Sequence, residues 1–254
     1  MTTWLFDLGN SRLKCAPLQD GLPGGVIEAT HDGENFIDGW AARLPGQIDT
    51  AFVSSVASAA LTATLLDTLT QHCTRISLAR TQRECDGVRI AYGIPAHMGV
   101  DRFLALLAAH ARARDPWLVV GVGTALTIDL LARDGRHHGG RIAPSPTLMR
   151  QSLHQRAPHL PSSGGVYADF ANDTTAGLAS GCEGAAIALI ASSRNAAVGH
   201  VGCAPRLVLH GGGALALLPY LDDAVLALAL VLEGLARWSR TIGDTDINLR
   251  KPHD

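Results

Sequence analysis

Trp4-Leu5-Phe6-Asp7-Leu8-Gly9-Asn10-Ser11-Arg12-Leu13-Lys14 reads as a strand, a tight glycine turn and a second strand. Leu118 to Asp129 opens the later part of the chain in the same way, with Gly121-Val122-Gly123-Thr124-Ala125 at its turn. Placing Gly9 on Gly123 sets Asn10 on Thr124 and Ser11 on Ala125, an offset of 114 residues. A motif repeated at the head of two halves is the trace that a duplicated α/β domain leaves. The boundary expected between the halves is Arg112-Ala113-Arg114-Asp115-Pro116, where an apolar helical pattern ends in charge and proline. That gives halves of 1–115 and 116–254.

Working outward, strands and helices alternate. Ala51 to Ser55 predicts a strand, Ala59 to His72 a helix, and Arg75 to Leu78 a short strand. Asp101 to Arg114 predicts a helix with Phe103, Leu104, Leu107 and Ala111 on one side. Farther on, Thr147 to His159 and Thr175 to Asn195 read as helices, and Arg206 to His210 as a buried strand running into Gly211-Gly212-Gly213. Such alternation means an α/β fold with parallel or mixed sheets.

Composition narrows the function. In 254 residues, 47% are apolar and 17% charged, enough to bury a sizeable core. Lys plus Arg number 21 against 23 Asp plus Glu, a net charge of −2 that lacks the basic excess a nucleic-acid binder needs. The longest apolar run, Ala224 to Leu232, falls short of the ~20 residues of a spanning helix, so no membrane association is expected. No charged-then-apolar leader opens the chain. Five well-separated cysteines (Cys15, Cys73, Cys85, Cys182, Cys203) suit reduced core thiols, and the expected location is the cytoplasm. Only two of the 21 basic residues are lysines, Lys14 and Lys251, which makes Lys14 conspicuous inside a motif.

Four stretches can carry chemistry. In Asp7 to Lys14, glycine removes the Cβ that would block a phosphate, turn N–H groups can point at its oxygens, and Asp7 can hold Mg²⁺ directly or through water. A plain hairpin with an incidental lysine fits the same letters. Gly99-Val100-Asp101-Arg102 opens a helix, where Asp101 serves either as an N-cap or as a general base, with Arg102 as an anion anchor. Gly123 and Thr124 would cup a second phosphate face, with Asp129 in the site or merely on the return strand. Gly211-Gly212-Gly213 would let a flat ring approach the backbone or simply turn into a helix. His137-His138 reads as a solvated turn.

In order and spacing, these stretches resemble the type III pantothenate kinases of the acetate and sugar kinase/Hsc70/actin superfamily. Asp7 to Lys14 resembles the family's D-x-G-N-[ST]-x-x-K, and Gly99 to Arg102 its G-x-D-R, with Tyr92 where the family has a substrate-contacting tyrosine. Gly123 to Asp129 resembles G-T-A-x-T-x-D, and Gly139 to Pro144 resembles G-G-x-I-x-P. Asp173-Thr174 through Gly181 resembles a segment whose threonine meets the substrate, and Gly211 to Gly213 the adenosine turn. Two positions depart from the pattern. Gly121 replaces the aspartate associated with a monovalent cation, and Ser145 follows Pro144 where glycine is common.

The resemblance implies two duplicated ribonuclease-H-like α/β halves, the actin-like ATPase fold, with a cleft between them. It implies ATP-dependent phosphorylation of pantothenate to 4'-phosphopantothenate, the first step of coenzyme A biosynthesis. Asp101 would be the general base. Asp7, Leu8, Gly9, Asn10, Ser11, Arg12, Leu13, Lys14 and Thr124 would bind ATP. Tyr92, Gly99, Val100, Asp101, Arg102 and Thr174 would bind the substrate. Mg²⁺ would accompany ATP near Asp7. K⁺ or ammonium is expected from the family, with its site in question because of Gly121. A homodimer is also implied. The alternatives are a non-catalytic regulatory factor of the same family and a kinase for another small alcohol or sugar.

Overall fold

The structure, a computed structural model, describes residues 2–37 and 39–242. Lys251 lies outside the described residues. Two compact units emerge: Met1–Arg112 with the segment that returns at Ala229, and Ala113–Leu228.

The first unit begins with β1 (Thr3–Leu8), β2 (Arg12–Gln19), β3 (Leu22–Pro23), β4 (Ile27–Thr30) and β5 (Ile48–Ser55). It continues with α1 (Ala59–Thr70), β6 (Cys73–Leu78), the two-residue strands β7 (Glu84–Cys85) and β8 (Val88–Arg89), and α2 (Val100–Arg112). Its main sheet runs β3-β2-β1-β5-β6, with β4 also pairing β2. β1 pairs β2 antiparallel and β5 parallel, and β5 pairs β6 parallel. β1 lies mid-sheet, so Trp4, Leu5, Phe6 and Leu8 are all buried, the continuous apolar run of a strand covered on both faces. Ser58 caps α1 by accepting the Leu61 N–H at 3.2 Å, and Leu61, Leu65 and Leu69 form its buried stripe.

The second unit repeats the plan. It contains β9 (Trp117–Val122), β10 (Ala125–Leu131), β11 (His137–Pro144), α3 (Pro146–Arg156), α4 (Thr174–Val201), β12 (Arg206–His210), α5 (Ala214–Leu217) and β13 (Ala224–Leu226). The sheet order is β11-β10-β9-β12-β13. β9 and β10 are antiparallel, whereas β12 pairs β9 and β13 in parallel. Apart from β4, which lies off the path of the first sheet, both sheets run third, second, first strand and then two later parallel strands, so the weak echo of Gly9 and Gly123 marks a true structural repeat. α4 starts at the Asp173 cap, which accepts the Ala176 N–H at 2.9 Å, and ends at Gly202 in the left-handed region (φ 78°).

The expected 116–254 half therefore ends early. After β13 comes α6 (Leu230–Ser239), and it packs in the first unit. A Cβ at Gly234 would strike the Leu104 carbonyl group, so glycine lets the α6 backbone press onto α2. Paired Arg112 to Glu233 bonds (2.9 and 2.7 Å) and Arg237 to Asp86 bonds (2.7 and 2.9 Å) tie α6 to the same unit. Apolar periodicity over residues 230–239 announces a buried face but not which partner buries it.

Candidate active site

β1 and β2 form the first hairpin, closed by Gly9 donating its N–H to the Arg12 carbonyl at 3.0 Å. Strand register places Asp7 between Lys14 of β2 and Ser54 of β5, one residue from each of three adjacent strands. Ser54 Oγ donates to Asp7 Oδ1 at 2.8 Å. Burial pushes the Asp7 carboxyl from 3.8 up to about 6. The Ser54 bond opposes that rise, the nearby Asp101 charge adds to it, and Lys14 lowers it. The turn residues Asn10 and Ser11 are exposed beyond the carboxyl end of β1, the edge at which α/β sheets bind ligands.

Not every residue of the motif has its side chain there. Leu8 and Leu13 are fully buried in the core and could meet a nucleotide through backbone alone. Arg12 is exposed and pairs with Glu28 at 3.1 Å, and Lys14 lies 3.7 Å from the same carboxylate. Two supporting residues were not legible in sequence. Ser54 is one. The other is His31, whose Nε2 lies 3.0 Å from the Gly9 carbonyl and braces the turn. Ser54 lies on β5 and His31 just past the end of β4, and a motif confined to residues 7–14 carries no signal for them.

α2 supplies the second group of this unit. The helix starts at Val100, so Asp101 stands in its first turn rather than at the cap. Asp101 Oδ1 accepts the Arg102 N–H at 2.8 Å. A Cβ on Gly99 would lie 2.6 Å from that same oxygen, which explains why glycine precedes the pair. Arg102 is buried at 6% exposure and donates through Nη1 to Tyr92 Oη at 3.1 Å, its guanidinium 5.7 Å from the ring centre. The structure thus brings Tyr92 onto the Arg102 side chain and Asp101 onto the Arg102 backbone, whereas the Val100 side chain is buried.

In the second unit, Gly123 donates to the Ala125 carbonyl at 3.0 Å, closing a turn that leaves Thr124 exposed. The triple glycine lies directly behind it. Gly213 donates to Val122 O at 2.9 Å, and Gly211 holds φ 91° where a Cβ would come 2.5 Å from that oxygen. Thr174 is exposed at the first position of α4. Asp129 lies on the return strand, with Oδ1 3.0 Å from His137 Nε2. His137, 2% exposed, is a core residue of β11 and not part of a solvated turn. Ser145 is also structural: buried, it caps α3 through the Leu148 N–H at 3.2 Å.

The residues fit one implied cation and not the other. Among the described residues no three His, Cys, Asp or Glu side chains gather to hold a metal. Mg²⁺ needs no such cage, because it is commonly held by one or two carboxylates together with nucleotide phosphates and water. A carboxylate whose ionisation is resisted by burial, beside a phosphate-type turn, suits it. A monovalent-cation site built on a carboxylate at 121 does not fit: a Cβ there would stand 2.7 Å from Thr127 Oγ1 and 2.9 Å from His210 Nε2.

The chain resembles known proteins in both sequence and fold. The sequence profile described as type III pantothenate kinase matches residues 4–195. A type III pantothenate kinase of Stenotrophomonas maltophilia (strain K279a) is 56% identical over 239 residues, covering 94% of this chain and 98% of its own. Among solved structures, a Campylobacter jejuni protein described as a conserved Baf family transcriptional activator superposes with a TM-score of 0.63 at 21% identity, covering 93% of this chain and 97% of that one. An archaeal actin homologue gives a TM-score of 0.51 at 11% identity, covering 94% and 99%. These structural likenesses carry the fold alone, and with the repeated sheet order they identify paired ribonuclease-H-like halves of the actin-like ATPase class. The repeated hairpins, the G-x-D-R helix start and the extent of the match to its relatives lead to one assignment: the chain belongs to the type III pantothenate kinase family.

Proposed function

We propose that this protein transfers the γ-phosphoryl group of ATP to the primary hydroxyl of pantothenate, giving 4'-phosphopantothenate and ADP at the entry to coenzyme A synthesis. The observation that carries the reading is the placing of two carboxylates, Asp7 and Asp101, with different surroundings in one unit. Asp7 ends a strand beside Lys14 and a phosphate-type turn, while Asp101 opens a helix beside the buried Arg102. Asp101 accepts the hydroxyl proton as the pantothenate oxygen attacks the γ-phosphorus and the bond to the β-γ bridging oxygen breaks. Arg102, oriented by Tyr92, holds the substrate carboxylate, and Thr174 adds a hydroxyl contact. The Gly9–Ser11 turn, Lys14 and Thr124 orient the phosphates. Mg²⁺, held at Asp7 directly or through water, would neutralise charge building on the phosphate oxygens. Phosphoryl transfer has a loose transition state, so positioning and charge stabilisation carry most of the rate.

Two further properties belong to the proposal. All five cysteines are unpaired, four of them buried, which suits a reducing cytoplasm. A homodimer is supported by the family resemblance and by α4. That helix is long and apolar enough to span a membrane by composition (mean hydropathy 1.3), yet only 22% of its apolar window is buried within the chain. It packs Ala186, Ile190 and Ala197 into the second unit's core, and a second copy would cover part of the remainder.

The test is Asp101→Asn, assayed for pantothenate phosphorylation with Mg²⁺. A fall of about 10²–10⁴ in kcat with ATP binding retained is expected for loss of a general base. Near-normal turnover removes Asp101 from the mechanism. If the wild type phosphorylates a sugar but not pantothenate, the substrate assignment fails. Absence of turnover on every alcohol tried would favour the regulatory reading.

A further inference from the structure

Counted from the turn glycine, equivalent rows of residues lie across the two sheets. In the first unit Asp7, two before Gly9, pairs with Lys14 on one side and Ser54 on the other. In the second, Gly121, two before Gly123, pairs with Thr127 of β10 and His210 of β12. A carboxylate occupies the middle of one row, and no side chain occupies the middle of the other. The space above Gly121 is nonetheless filled. A Cβ there would lie 2.7 Å from Thr127 Oγ1, 2.9 Å from His210 Nε2 and 3.0 Å from His210 Cε1. An imidazole in that position and a side chain at 121 exclude each other.

We propose that the row Thr127–Gly121–His210 frees this kinase from a monovalent-cation requirement. The His210 imidazole fills the space that a cation-holding carboxylate at 121 would need, and it acts as a positioning residue for the turn from Gly121 to Thr124. The inference rests on the kinase reading above. Potassium and ammonium are held by oxygen-rich sites, and an imidazole nitrogen favours softer transition metals. Imidazole does suit the other task. It can donate or accept a hydrogen bond at a fixed place beside a backbone turn, and His210 is fixed by its register with Gly121 and by the glycine turn that follows it, where Gly211 and Gly213 close on Val122.

Initial rates of pantothenate phosphorylation are compared in tetramethylammonium, sodium, potassium and ammonium chlorides at one ionic strength. Rates agreeing within about twofold are expected, since equal screening leaves only specific ion binding to separate the salts. Activation by potassium or ammonium of about tenfold or more overturns the inference and leaves the kinase reading standing. No turnover in any salt overturns the kinase reading, and this inference falls with it. The positioning role is read from His210→Ala, for which the KM for ATP rises about threefold to tenfold while kcat changes little. His210→Gln, whose amide reaches toward the same place, recovers most of that loss. An unchanged KM in His210→Ala, or a loss that His210→Gln does not recover, overturns the positioning role.

Discussion

Replacing Asp7 by asparagine should make the protein more stable at neutral pH while sharply slowing its chemistry. Burial, partly offset by the Ser54 bond, raises the Asp7 carboxyl from 3.8 to about 6. The folded protein therefore holds this proton more tightly than the unfolded chain does. Asp7 costs nothing below about pH 4, costs progressively more as it ionises between about pH 4 and 6, and imposes its full penalty above that window. At about 1.4 kcal/mol per unit the full shift amounts to about 3 kcal/mol, and the solvent contact of a half-buried residue reduces this to about 1–2 kcal/mol. Asparagine keeps an oxygen for the Ser54 hydroxyl and carries no charge next to Asp101. Circular dichroism melts of Asp7→Asn and wild type should differ by about 2–6 °C at about pH 7.5, with the variant higher. The gap should close by about pH 4, where the wild-type carboxyl is protonated in both states. Phosphorylation in the same variant should fall about 10²-fold or more, because charge stabilisation at the phosphates is lost. Equal melting at neutral pH, or a gap that persists in acid, would refute the assignment of a costly carboxylate at this position.

Three other outcomes are expected. In the wild type, kcat/KM for ATP should decline on the acid side near pH 6 as Asp7 takes up its proton, and Ser54→Ala should move that limb to higher pH, since the Ser54 bond favours ionisation; a pH–rate profile without the shift would separate the limb from Asp7. Tyr92→Phe removes the 3.1 Å bond that orients Arg102, so steady-state kinetics should show the KM for pantothenate rising about threefold to tenfold with kcat nearly kept. Gly234→Ala forces a methyl group onto the Leu104 carbonyl and should cost about 1–3 kcal/mol or more in urea unfolding, with no direct effect on the site.

The sequence exposed what local chemistry controls. Each glycine turn flanked by apolar strands announced its hairpin, and the strand–helix alternation announced the sheets, because period and turn residues act over a few positions. Most helix ends were off by only one to three residues, the start near Asp101 becoming Val100, but α4 ran past its expected end at Asn195 and through Gly199 to Val201, stopping only where Gly202 takes the left-handed conformation. What long-range pairing controls stayed hidden. Ser54 meets Asp7 through strand register, His31 reaches Gly9 from β4's end, and His137 turns inward to Asp129 despite its Gly/Arg neighbours. Gly121 could be seen as a missing aspartate, but nothing linear indicated that His210 fills its space.

The return of α6 also bears on the order in which the molecule can be made. The second unit is one uninterrupted stretch, Ala113–Leu228, so all of its strands are synthesised before α6. The first unit, although encoded first, lacks its last helix until then, and the α2 backbone around Leu104 waits without the glycine that will press on it. Domains fold during synthesis as their chain becomes available, so here the later-encoded unit finishes before the earlier one. A nascent chain ending at Leu228 and tethered to the ribosome by a linker long enough to clear the exit tunnel should protect the second unit from protease while the α2 region is still cut, and protection of both together would show that α6 is not needed to complete the first.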